Sequence, residues 1–272
     1  MAPSILPVSS SNWASLRTRC RRFARCFRLG ASLWDHHPDT LKCARRLVGL
    51  LNRDNTVPDE AVQVMRLQLS DLVELRGEAD VDTLTSMHSV GYLLLYRAKG
   101  SGPEFSEGVA VLRRALPLMH ATLGAAASMT LDCTSNLGYA FMNAGNLADA
   151  EPLLEAAAAG LSQTLGESHD RTVAALRTLG TNLANQEKLE RAEEVCWRVL
   201  RLRCATRKEP HNDTTEALTN LGAVLFHRSK WAVAAPVLRR ALSAQAAMLG
   251  FMHPDTEKTR NEFIHVLAHL EI

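Results

Sequence analysis

The chain has 272 residues, 31 basic against 29 acidic side chains and a net charge of +2, so its overall charge gives no reason to expect nucleic acid as a partner. No stretch approaches 18 consecutive apolar residues, so a membrane-spanning helix is not expected. Only 5% of residues are aromatic, alanine and leucine abound, and most of the ten prolines lie outside or between the sequence units described below, which suits helices and speaks against a β-sandwich.

Residues 1–34 differ from the rest. They hold six arginines (Arg17, Arg19, Arg21, Arg22, Arg25, Arg28) and no acid before Asp35, which leaves about −4 for the remainder. Read as a helix capped by Asn12, the segment places Trp13, Leu16, Cys20, Phe23 and Phe27 on one stripe flanked by arginines. Three readings stay open: a transit peptide, a helix docked on the first repeat or an unstructured tail, and attachment to an anionic membrane surface or nucleic acid. Cysteines at 20, 26, 43, 133, 196 and 204 form no C-x2-C pair and point to a reducing interior. The cytoplasm is the expected location, or a mitochondrion or plastid if residues 1–34 are a transit peptide.

From residue 35 onward a threonine marks time, at Thr40, Thr83, Thr130, Thr172, Thr214 and Thr256, and the last three intervals are 42 residues each. Such a period is the mark of stacked repeats. Eight residues after the threonine stand Gly91, Gly138, Gly180 and Gly222. Twenty after it stand Ala150, Ala192 and Ala234, followed by Leu154, Cys196 and Leu238, then Ala157, Val199 and Ala241. Gly108, Leu112 and Ala115 repeat this ladder once five extra residues around Lys99 to Glu104 are allowed. Small residues midway along one helix and early in the next let two antiparallel helices approach closely. Each unit is therefore a helical hairpin.

A common hairpin unit of this kind has about 34 residues. The surplus is expected in the second helix, as over Ala234 to Met248. Gly124, Gly166 and Gly250 occupy helix C-caps, and His253-Pro254-Asp255-Thr256 supplies turn and N-cap chemistry for the next helix. Asp39, Asp82 and Asp213 repeat the Asp-Thr start, whereas units at Met129 and Arg171 lean on threonine alone. After Thr256 a single helix with Phe263, Val266, Leu267 and Leu270 on one face closes the stack.

Leu249-Gly250-Phe251-Met252-His253-Pro254-Asp255-Thr256, with Asn220-Leu221-Gly222, Asn136-Leu137-Gly138 and Asn146-Leu147-Ala148-Asp149-Ala150-Glu151 from other units, resembles the 42-residue tetratricopeptide repeats of kinesin light chains. The resemblance covers residues 83–272 well and 35–82 weakly, where the second helix is poor. It implies an all-α solenoid, a right-handed superhelix of stacked antiparallel hairpins. The expected organisation is a basic segment 1–34, a degenerate first repeat 35–82, a repeat array 83–256 and a capping helix 257–272.

Catalysis finds little support. His37, His169, His211 and His253 recur three residues before the threonine, which suits a turn role better than a metal site. No Walker loop, nucleophile elbow or H-E-x-x-H occurs, and the carboxylates of Glu187 to Glu194 read as a solvated turn and helix face. No enzyme activity and no cofactor are expected.

The residues two, five, nine and thirteen after each threonine neither pack inward nor face out, and they line the concave wall. In one unit they are His88, Tyr92 and Tyr96; in the next, Asp132, Ser135, Tyr139 and Asn143. Arg177, Thr181 and Asn185 follow, then Glu216, Thr219, Ala223 and His227. Tyrosines and amides suit peptide capture. Asn136 and Asn220, six after the threonine, match an asparagine that, by the resemblance, would bond a bound peptide's main chain. Arg177 and Asn136 lack the lysine partner of a carboxylate clamp. The expected function is a non-catalytic scaffold holding a protein or peptide of unknown identity in this groove. The alternatives are the sensor or oligomerisation arm of a signalling ATPase, a light-chain-like cargo adaptor, or an enzyme with a cryptic site.

Overall fold

The computed structural model describes residues 59–98, 100–206 and 212–271. The readings of residues 1–34, of the His37–Thr40 start and of His211 fall outside them. The described residues form ten α-helices: α1 (Asp59–Arg76), α2 (Val81–Ala98), α3 (Pro103–Leu123), α4 (Ser128–Asn143), α5 (Leu147–Leu165), α6 (Asp170–Asn185), α7 (Leu189–Thr206), α8 (Asn212–His227), α9 (Trp231–Leu249) and α10 (Pro254–His269). Two compact units divide between Thr122 and Leu123.

The threonine ruler acquires a structural meaning. Each of α2, α4, α6, α8 and α10 begins two residues before its threonine, so Thr83, Thr130, Thr172, Thr214 and Thr256 all sit in a first turn, and all are fully buried. Thr172 Oγ1 donates to the Gly166 carbonyl (2.9 Å) and Thr83 Oγ1 to that of Leu72 (3.3 Å), which ties a helix start to the end of its predecessor. The expected Asp-Thr cap is corrected by this register. The capping residue lies three before the threonine: Asp80 Oδ1 accepts from Asp82 N (2.9 Å), and the ring Nδ1 of His169 and of His253 accepts from Arg171 N (3.2 Å) and Asp255 N (3.3 Å). His169 and His253 are therefore N-caps, and Asp170 and Asp255 after them stand in the first turn, where the helix dipole favours an anion. Ala127 caps α4 with no side-chain bond.

The helices end on glycines as expected, with one difference. Gly166 (φ 88°, ψ 159°) and Gly250 (φ 90°, ψ 160°) leave the helix extended instead of in the left-handed helical well, a region open almost only to glycine.

In the first unit α1 is a regular helix of 18 residues where the sequence promised a poor one. Val62, Met65, Leu69 and Leu72 recur every three or four residues and give it a buried stripe against α2. Gly91 of α2 faces Leu112 of α3, and Gly108 lies against the Gly91 carbonyl. The five extra residues lengthen α2 to 18 residues, α3 to 21 and the turn between them.

The second unit stacks α4/α5, α6/α7 and α8/α9 as hairpins, with α10 against α9. First helices have 16 residues and second helices 18 or 19, so the second helix is the longer, as expected. Ala150, Ala192, Ala234, Leu154, Leu238 and Ala241 are all fully buried in one core, joined by Cys196 and Val199, and Ala157 is fully buried as well. Leu154 covers Gly138 and Leu238 covers Gly222. The turn after each first helix needs a left-handed residue, filled by Gly145 (φ 80°), Glu187 (φ 60°) and Ser229 (φ 55°), again 42 apart. Three of the ten prolines are exceptions to the placement outside or between units: Pro117, Pro152 and Pro236 lie inside second helices. All three are exposed, where the carbonyl each leaves unpaired stays solvated.

A ladder of ions joins successive hairpin tips. Glu151 of α5 receives Lys188 Nζ (2.5 Å), Arg191 Nη1 (2.6 Å) and Gln186 Nε2 (2.9 Å), and one repeat later Glu193 receives Lys230 Nζ (2.9 Å) and Arg228. Glu193 is thus no solvated carboxylate; its side chain is 13% exposed. The Lys188 hydrogen bond above all holds the Glu151 carboxyl below its usual range. Burial pulls Glu193 upward, and Lys230 and Arg228 together more than offset it. Both folded values lie below the unfolded one of about 4.3, so their stabilisation is present above that pH and is lost as pH falls through the folded values. Glu262, raised by burial, works in the opposite sense: its contribution is present at low pH and lost as pH rises through its folded value. Glu151→Gln with Glu193→Gln is expected to lower the melting temperature at pH 7 and leave it near wild type at pH 3, as a melting series between the two would read. Equal losses at both pH values would show that the two carboxylates do not act through their charge.

Candidate functional site

Adjacent first helices of the second unit touch, and the same ruler positions on each face the same way. On α4, Asn136, Tyr139 and Asn143 are spaced i, i+3 and i+7 and form one stripe. Arg177, Thr181 and Asn185 follow along α6, and Asn220 and His227 along α8. None of the eight is buried in the core; Asn143, Asn185 and His227 are exposed, and Tyr139 is 48% exposed. His88, Tyr92 and Tyr96 belong to the first unit, half-buried on α2, with the Tyr92 and Tyr96 rings stacked at 6.2 Å.

The polar groups of this face are partly committed. Thr178, Thr181 and Thr219 donate their hydroxyls to carbonyls one turn back, at 3.1, 3.1 and 2.9 Å. Their oxygens remain acceptors. Thr219 also receives Gln245 Nε2 from α9 (3.2 Å). Arg177, expected as a ligand contact, pairs with Glu216 of the next first helix, and Arg171 pairs with Asp132 while bonding Ser128 Oγ (2.7 Å).

Two groups escaped the sequence reading. Asn182 is fully buried behind the face and donates to the Leu147 carbonyl (3.1 Å), fixing α6 on the start of α5. The other group lies on α10. Counting two, five, nine and thirteen from Thr256 reaches Lys258, Asn261, His265 and His269, so α10 continues the face as well as closing the stack. His269 stacks on Trp231 (4.6 Å, 5°), and His265 meets Phe226 edge-on (5.1 Å) beside His227. The ruler would have found them had α10 not been read solely as a cap.

Among the described residues no three histidine, cysteine or acidic side chains gather as a metal site. Burial, with Asp132 adding to it, pushes the Cys133 thiol up to about 12, and burial pushes Cys196 up to about 11, so both stay protonated at neutral pH. No described helix is long and apolar enough to cross a membrane.

Family models described as tetratricopeptide repeat match residues 126–203 and 214–255, which are the hairpins just built. Residues 126–203 and 214–255 are tetratricopeptide repeats. No curated protein matches the chain. Among solved structures it is similar to the nearly identical tetratricopeptide-like repeats of a Podosopora anserina protein assigned as a kinesin light chain, at 19% identity and a TM-score of 0.66, over 78% of this chain and 97% of that one. It is also similar to BtubC (BKLC) from P. vanneervenii at 20% identity and a TM-score of 0.67, over 89% and 92%. The apo form of RapI matches at 13% identity and a TM-score of 0.62, over 85% and 84%. These likenesses show the fold, an all-α solenoid of tetratricopeptide-like hairpins.

Proposed function

We propose that the chain is a non-catalytic scaffold that holds an extended partner peptide along the first-helix face of α4, α6, α8 and α10. One observation carries the reading: at the ruler positions each of these helices presents an amide, α4, α6 and α8 add a hydroxyl, and α4, α8 and α10 add a ring, none of them buried. Amide side chains can satisfy both N–H and C=O of an extended chain, and Tyr139 offers apolar area with a polar end. Asn136 and Asn220 are the proposed main-chain contacts, with Asn143 and Asn185 along the exposed edge.

Two double variants test this. Asn136→Ala with Asn220→Ala, and Asn143→Ala with Asn185→Ala, are expected to keep stability within about 0.5 kcal/mol, as surface changes usually do. Each is expected to weaken retention on an immobilised peptide array about tenfold or more. Equal retention by wild type and both variants would place the site elsewhere.

A further inference from the structure

Resting on that reading, we propose that the face takes an uncharged stretch of its partner and is not built for acidic or basic motifs. Across α4, α6 and α8 the charged side chains other than histidine are Asp132, Asp170, Arg171, Arg177, Asp213 and Glu216. Every one of them has an opposite charge beside it. Asp132 pairs with Arg171 and Arg177 with Glu216, both between neighbouring first helices. Asp170 (2.5 Å) and Asp213 (3.5 Å) share Arg203, whose side chain is 8% exposed at the end of α7. At the far end Lys258 lies close to Glu262.

The consequence is electrostatic. A peptide carboxylate approaching Arg177 must compete with Glu216, and a peptide ammonium approaching Glu216 must compete with Arg177. Either charge sheds water without gaining a partner that was not already taken. A neutral main chain meets no such competition. It finds acceptor oxygens on Thr178 and Thr181, whose own protons are committed, and exposed amides on Asn143 and Asn185. Binding that relies on these groups is little screened by salt, whereas capture of a charged motif would weaken steeply as the Debye length shrinks.

The test uses the full chain and three immobilised nonapeptide sets: one of Gly, Ser, Asn, Gln, Leu and Tyr only, one with three of those positions acidic, and one with three basic. The neutral set is expected to be retained about tenfold better than either charged set, with affinity changing less than about threefold between about 50 and about 500 mM NaCl. Glu216→Gln strips Arg177 of its partner. It is expected to improve retention of the acidic set about fivefold at the lower salt and to lose that gain at the higher. Wild type that prefers either charged set, or Glu216→Gln that leaves the acidic set unchanged, would overturn the inference. A charged set that is preferred yet lost in Asn143→Ala with Asn185→Ala would overturn neutrality and leave the face standing. Neutral-set retention untouched by that double variant would remove the face itself.

Discussion

Gly222→Leu is expected to unfold the α8/α9 hairpin well below the melting temperature of the wild type. Even the Cβ of an alanine there would lie 2.4 Å from Leu238 Cδ2 and 3.0 Å from its Cγ. Leu238 is fully buried, between Ala234 and Ala241 on its own helix, so it has little room to swing aside. Overpacking typically costs about 1–3 kcal/mol and occasionally more, and a leucine with three further carbons belongs at the upper end. Gly180→Ala is the control. Its Cβ would meet Cys196 Sγ at 3.3 Å and Val195 Cγ1 at 3.4 Å, a squeeze of tenths of an ångström. Against that stands a gain of roughly 0.5–1 kcal/mol from replacing a helical glycine, so near-neutrality is expected. Because repeat arrays contact only their neighbours, the damage should appear first as faster amide exchange in α8 and α9. Unchanged melting of Gly222→Leu would mean that these helices do not pack in this register.

The 42-residue period was legible because packing repeats it. A glycine facing a large residue, and an alanine where two backbones come close, are demands that each hairpin makes anew. Helix starts followed to within a turn, yet their caps did not, since a histidine ring accepting at its Nδ1 looks in sequence like any turn residue. Glu187 and Ser229 hid the left-handed turn that Gly145 announces. The tip ladder was also invisible: Glu151 and Lys188 lie 37 positions apart, and only the stacking of one hairpin on the next brings them to 2.5 Å. For the candidate face the ruler named positions on three helices of the second unit, none of them buried. It could not tell that Arg177 is matched by Glu216, because pairing between helices depends on their relative rotation and not on the period. That pairing turns an expected ligand-binding cation into part of a neutral wall.

The lock between first and second helices can also be tested from its other side. Leu154 is fully buried, and its Cγ and Cδ2 both lie 2.9 Å from where a Gly138 Cβ would stand. Leu154→Ala removes that plug between Ala150 and Ala157, which are too small to close the gap. A large-to-small change of this kind costs about 2–5 kcal/mol, more when the walls cannot collapse. Here the walls are two helices held by the hairpin turn and by α6, so the upper half is expected. Gly138→Ala with Leu154→Ala puts a methyl group back into the space. The pair should therefore cost less than the sum of the single changes, since residues in contact do not add. Denaturant unfolding of the two single variants and the double variant reads this coupling directly, and strict additivity would show that the contact is absent. The outcome bears on function as well as stability. The same helix, α4, carries Asn136, Tyr139 and Asn143 on its opposite side, so the depth to which Leu154 lets it seat on α5 sets where the first stripe of the face stands beside the second.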